Sequence, residues 1–203
     1  MSRANALVAG AGHRWTALGE HPFVRATAAG TLPEASWHRW LLEDHAFVVE
    51  FRRFLAGVLL LAPDEASRDA LAGGVTALTP ELELFRSELV ARGLSAADHQ
   101  PSVVCLGYAG WVLASLHSGY DVALAVLHAV ERAYLDAWTA VRERAVGQRY
   151  EEFVRNWSSP AFAAWVQTLA DLLGAGTPTP AQQLAYRRVA EWEHAFWDAV
   201  HVG

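Results

Sequence analysis

Leu41-Leu42-Glu43-Asp44-His45-Ala46-Phe47-Val48-Val49-Glu50-Phe51 lies inside a long helical segment that runs from about Pro33 to Ala62. Trp40, Phe47, Phe51, Phe54, Leu55, Val58 and Leu59 cover most of its circumference. A helix that is apolar nearly all round belongs in the middle of a bundle rather than at its edge. Segments near 101–117, 120–146 and 180–201 have the same character, whereas Glu65 to Arg92 has an exposed acidic side. Four central helices with others around them predict an all-α multi-helix bundle. No alternating apolar and polar stretch is bounded by a hairpin signal, which points the same way.

The breakers between segments include Gly30-Thr31-Leu32-Pro33, Ala62-Pro63-Asp64, Gly73-Gly74, Thr79-Pro80, His117-Ser118-Gly119, Gly147 and Ser158-Ser159-Pro160. Ser159-Pro160 and Thr179-Pro180 each offer a hydroxyl cap followed by proline at the first helical position. Thr31-Leu32-Pro33-Glu34 puts proline near a first turn and an acid at the positive end of the dipole. Gly30 and Gly93 sit where a left-handed residue closes a helix. No repeat, low-complexity tract or long linker divides the chain, so residues 1–203 read as a single helical domain.

Composition narrows the function classes. Charged residues make up 19% of the chain and apolar residues 53%; the first figure is below the globular norm of roughly 25%, which favours a compact core over disorder. The net charge is -6, all 16 basic residues are arginine, and they form no basic run. Nucleic acid is therefore a poor partner. Charges such as Glu43, Asp44, Glu50, Arg52 and Arg53 interrupt the apolar runs, and none reaches the ~20 residues of a membrane span. The single cysteine, Cys105, forms no internal disulfide, and no signal-peptide pattern opens the chain, so a cytoplasmic location is expected.

On core helices the polar residues are the informative ones, because burying an unpaired charge costs several kcal/mol by rough estimate. Asp44, Phe47 and Phe51 share a face at i, i+3 and i+7. Cys105 and Tyr108 share another, beside the small residues Gly107, Ala109 and Gly110. His128 and Glu131 lie three apart with Tyr134 close by, and Glu193, Phe196 and Trp197 form an i, i+3, i+4 set. Asp44 read alone fits an acid paired with an arginine inside a bundle, and Cys105 alone fits a small buried hydrophobe. Acid-plus-aromatic sets on three helices fit a shared pocket better.

Taken in order, several segments resemble the TenA/thiaminase II family, which has the haem-oxygenase-like helical fold. The resemblance is carried by His21-Pro22-Phe23-Val24, Gly30-Thr31-Leu32-Pro33-Glu34 and Leu42-Glu43-Asp44 through Glu50-Phe51. Tyr108, Trp157-Ser158-Ser159-Pro160-Ala161-Phe162 and Glu193-His194-Ala195-Phe196-Trp197 complete it. It implies an aminohydrolase acting on thiamin or on degraded thiamin pyrimidines. Asp44 matches the acid that holds the ring amino group, and Phe47 and Phe196 match the aromatics that sandwich the ring. Tyr108 and Tyr134 match tyrosines lining the pocket, and Glu193 matches the catalytic glutamate. The chemistry agrees: a flat heteroaromatic ring suits two aromatic faces, and an amino group suits a carboxylate acceptor.

The sequence departs from the family at two places. The best-known branch has a nucleophilic cysteine one turn before the tyrosine matched by Tyr134; here that stretch is His128-Ala129-Val130-Glu131. Trp157 stands where that branch has a tyrosine. The pattern resembles the cysteine-lacking branch, and Cys105 does not inherit the nucleophile's role. Without a thiolate, Glu193 as base with Glu131 assisting would activate water against an amino- or formylamino-pyrimidine. Two such carboxylates, if close, would titrate apart, leaving one as the acid. The expected partner is a small pyrimidine, with neither cofactor nor metal required. The family resemblance implies a homodimer or homotetramer, and nine tryptophans, Trp15, Trp37, Trp165 and Trp192 among them, are compatible with subunit interfaces.

Two other classes stay open. A di-metal oxidase of the same fold would use His128, Glu131, His194, Asp198 and His201 as ligands, although His128 and Glu131 reverse the Glu-x-x-His order. Haem itself would need a proximal histidine, and neither His13 nor His21 lies in a haem motif. A non-catalytic pyrimidine binder or regulator would keep the ring-holding residues and lack turnover.

Overall fold

The structure is a computed structural model that describes residues 2–147 and 149–201. It is all-α: α1 Arg3–Ala11, α2 His13–Thr16, α3 Pro22–Ala28, α4 Glu34–Leu61, α5 Glu65–Ala91, α6 Val103–Ala114, α7 Tyr120–Arg144, α8 Glu151–Ser158, α9 Pro160–Leu173 and α10 Pro180–Val200. Short 3-10 turns occupy Leu18–Glu20 and Ser115–Ser118. The described residues contain no β-strand, only one isolated antiparallel bridge between Ser2 and Ala175. No helix among them is long and apolar enough to cross a membrane. The chain divides into two compact units, Met1–Leu32 with Leu124–Ala195, and Pro33–Ala123 with Phe196–Gly203.

In the Pro33–Ala123 unit, α4 carries α5 and α6 on its sides. It buries Trp37, Trp40, Leu41, Asp44, Phe47, Val48, Phe51, Phe54, Leu55 and Val58, a span that covers more than one face as its composition requires. Pro33 is the cap residue of α4 rather than its first helical residue, and no side chain caps that end. The α5 helix starts on Asp64, whose carboxylate accepts from the Ser67 amide at 2.8 Å.

The breakers at Gly73-Gly74 and Thr79-Pro80 do not break α5, which is continuous from Glu65 to Ala91. Its buried face, Leu71, Gly74, Leu78, Leu82, Phe85 and Leu89, keeps a helical period through both pairs. Packing of that stripe on α4 outweighs roughly 1 kcal/mol for each glycine and about 3 kcal/mol for proline. The α6 helix departs from expectation in another way. It buries Cys105, Tyr108, Ala109 and Val112, but Val103 is 85% and Leu106 58% exposed, so it is apolar all round without being buried all round.

In the other unit, α7 is buried continuously from Leu124 to Glu131. The chain beyond it returns to α3 through a Val146 amide that donates to the Ala28 carbonyl at 2.9 Å. The cap of α9 is as expected: Ser159 Oγ accepts from the Phe162 amide at 3.1 Å, with Pro160 first in the helix. The α10 cap is reciprocal. The Gln182 amide donates to Thr179 Oγ1 at 3.2 Å, and the Thr179 amide donates to Gln182 Oε1 at 3.0 Å. Gly30 and Gly93 have φ of 67° and 66°, as left-handed helix closures should. Trp15 and Trp37 are core residues, so they give no support to subunit contacts.

Gly73 sits inside α5 with nothing within 4 Å of an added Cβ. Gly73→Ala is expected to stabilise the protein by about 0.5–1 kcal/mol, read as a raised midpoint in thermal unfolding.

Candidate active site

One set of site residues lies in the Pro33–Ala123 unit with the last turn of α10. Asp44 and Phe47 come from α4, Tyr108 from α6 and Phe196 from α10, and all four are buried. Phe47 has Tyr108 at 4.6 Å between ring centroids, tilted by 32°, and Phe196 at 6.1 Å, tilted by 57°. Phe51 stacks on Phe47 at 5.8 Å. A wholly buried carboxylate, Asp44, thus lies one helical turn from this aromatic cluster.

What registers Tyr108 against α4 is Glu43. Its carboxylate accepts from the Ser102 amide at 3.0 and 3.1 Å, from Ser102 Oγ at 2.8 Å and from His99 Nε2 at 3.0 Å. Ser102 in turn caps α6 by accepting from the Cys105 amide at 3.1 Å. The Cys105 thiol donates to the Glu43 carbonyl at 3.4 Å. Burial pushes the thiol far above its ordinary range, and the charges of Glu43 and Asp44 push it further. Both effects favour the thiol over the thiolate, which is the nucleophilic form. Sequence reasoning passed over Glu43; the available signal was a second acid beside Asp44 on an apolar helix.

The other set lies in the unit containing α7. Glu131 is 7% exposed, and its Oε1 accepts from Trp165 Nε1 of α9 at 2.8 Å. Tyr134 meets Trp157 of α8 edge-on at 5.5 Å. Trp157 also packs on Trp138 at 5.1 Å and Phe153 at 5.8 Å. Glu193 is fully buried on α10, one turn before Phe196. Its neighbour His194 donates through Nε2 to the Arg14 carbonyl at 3.1 Å.

His128 belongs to a separate arrangement. Its Nδ1 shares a hydrogen bond with the Tyr186 hydroxyl, and Tyr186 stacks on Trp15 at 5.3 Å. Burial, helped by Arg132, drops His128 to about 3, so it is neutral in the fold. Burial holds the Tyr186 hydroxyl well above its ordinary range. Among the described residues no three His, Cys, Asp or Glu side chains are grouped to hold a metal ion. The di-metal arrangement of His128, Glu131, His194, Asp198 and His201 thus has no assembled cluster there.

Residues 11–201 match the TENA/THI-4/PQQC family. The chain belongs to this family. It is 28% identical to a probable bifunctional TENA-E protein of Glycine max over 160 residues, which cover 75% of this chain and 70% of that one. It is 24% identical to an aminopyrimidine aminohydrolase of Helicobacter pylori over 204 residues, covering 92% and 93%. A TenA family transcription regulator from Silicibacter sp. TM1040 superposes with a TM-score of 0.93 at 23% identity, covering 100% of this chain and 98% of that one. A domain of unknown function with a haem oxygenase-like fold from Shewanella denitrificans superposes with a TM-score of 0.69 at 13% identity, covering 92% and 86%. The TENA/THI-4/PQQC chain described here has the haem-oxygenase-like fold, and its family includes hydrolases of aminopyrimidines.

Two outcomes follow from the buried polar groups. Glu43→Ala strands the Ser102 amide and His99, and a loss of about 3 kcal/mol in chemical denaturation is expected. His128 has a folded value near 3 against an ordinary 6.5. Below pH 6.5 the unfolded chain takes up a proton that the folded chain refuses, so stability falls as pH drops through this window. The pH slope of stability in His128→Phe should be shallower by up to one proton.

Proposed function

We propose that this protein hydrolyses an amino- or formylamino-pyrimidine in thiamin salvage and belongs to the cysteine-lacking branch of its family. The observation that carries this reading is the buried Asp44 one helical turn from Phe47, whose ring meets those of Tyr108 and Phe196. Asp44 accepts from the ring amino group, and the aromatic faces hold the flat ring. Tyr134 and Trp157 are assigned to substrate binding as well. Glu193 is the base and Glu131 assists. Glu193 takes a proton from water as the water oxygen bonds to the formyl carbon or to the exocyclic methylene carbon that carries the departing nitrogen. The C–N bond then breaks, and Glu193 returns the proton to the departing nitrogen. The protonated state of Cys105 supports a route that needs no thiolate.

Turnover of aminomethylpyrimidine, its N-formyl derivative and thiamin tests the reading. Hydrolysis of at least one is expected, and a folded protein inert toward all three would sink it. Glu193→Gln should lower kcat by about 10²–10⁴-fold, while Asp44→Asn should weaken pyrimidine binding by about 10- to 100-fold. A regulator of the kind named among the relatives would show binding that survives Glu193→Gln and no turnover to lose. We also propose that the protein self-associates as a homodimer or homotetramer, supported by the exposed Val103 and Leu106 on a helix without a charged residue. Light scattering on the purified protein and on Leu106→Glu reads this directly.

A further inference from the structure

Trp165 is half-buried on α9, beside the stripe Val166, Leu169 and Leu173 that docks the helix. Its indole N–H donates to Glu131 Oε1 at 2.8 Å. Glu131 and Arg142 lie on one face of α7, about three turns apart at 3.6 residues per turn. The Arg142 guanidinium donates to the Ser158 carbonyl, at the junction that leads into α9. Ser159 caps α9 from the same junction. The start of α9 is thus already tied to α7 by Arg142, and docking does not require a second tie through a buried carboxylate. An apolar side chain in place of Glu131 would cost less to bury.

An indole N–H can donate and cannot accept, so it matches Glu131 only as an acceptor. A hydrogen bond of this kind favours the ionised carboxylate. We propose that Trp165 is a positioning residue that holds Glu131 in one rotamer and keeps it ionised, so that the proton taken from water travels through Glu193 alone. The proposal rests on the hydrolytic reading of Glu131 and Glu193, and it gives the two glutamates different duties. Glu193 takes and returns the proton, while Glu131 stays a fixed negative charge beside the departing nitrogen as it gains its proton.

The test compares wild type, Trp165→Phe, Trp165→His and Glu131→Gln. Trp165→Phe keeps a ring and removes the donor, and Trp165→His restores an N–H. The expected result for Trp165→Phe is a kcat lower by about tenfold, the lower end for a lost hydrogen bond to a charged group. KM should change less than kcat, and the acid limb of the kcat profile should move to higher pH. Trp165→His should recover part of both, and Trp165→Phe combined with Glu131→Gln should lose no more than Glu131→Gln alone. A lower melting temperature with unchanged kcat and an unchanged acid limb would make the contact a structural tie and overturn the proposal. Titration of the Glu131 carboxyl carbon by NMR, assigned with Glu131→Gln, gives a readout without turnover. In Trp165→Phe that carboxyl should titrate at higher pH than in wild type, and an unmoved titration overturns the proposal. If wild type turns over none of the pyrimidines, the functional reading fails, and this titration still decides whether Trp165 controls Glu131.

Discussion

A carboxylate buried in the middle of an apolar helix must find donors, and α4 carries two in succession, Glu43 and Asp44. Consecutive helical residues point about 100° apart, so the pair cannot share one set of partners. Glu43 collects the Ser102 amide, the Ser102 hydroxyl and the His99 ring. That single demand fixes where the loop after α5 lands and where α6 begins. With α6 set, Tyr108 falls against Phe47, and Asp44 is left one turn from the rings. The polar residue that looks most costly in the core therefore sets the geometry of the apolar ones.

The second unit solves the same problem differently. Glu131 is met by a neutral indole rather than by a cap. His128 is met by a phenol, and burial keeps both partners uncharged. Both of these buried polar groups take their partner from a different helix. Such pairings specify which helices pack in which register, something that interchangeable apolar side chains do poorly.

Much of this was legible in the sequence. Missing strand patterns and the caps at Ser159 and Thr179 announced helices because capping chemistry is local. The acid-plus-aromatic sets were visible as spacings on a single helix. Gly73-Gly74 and Thr79-Pro80 misled because local propensity costs a few kcal/mol, whereas the packed stripe of α5 runs its whole length. The exposed face of α6 was hidden because apolar composition does not say which side meets solvent. Glu43 and Trp165 act through partners 59 and 34 residues away, and no periodicity encodes such a pairing.

Cys105 is the chain's one thiol, buried, protonated and engaged with the Glu43 carbonyl. Alkylating agents and peroxides attack thiolates that solvent can reach. A fold that keeps its one thiol buried and protonated gives them no thiolate to attack at Cys105.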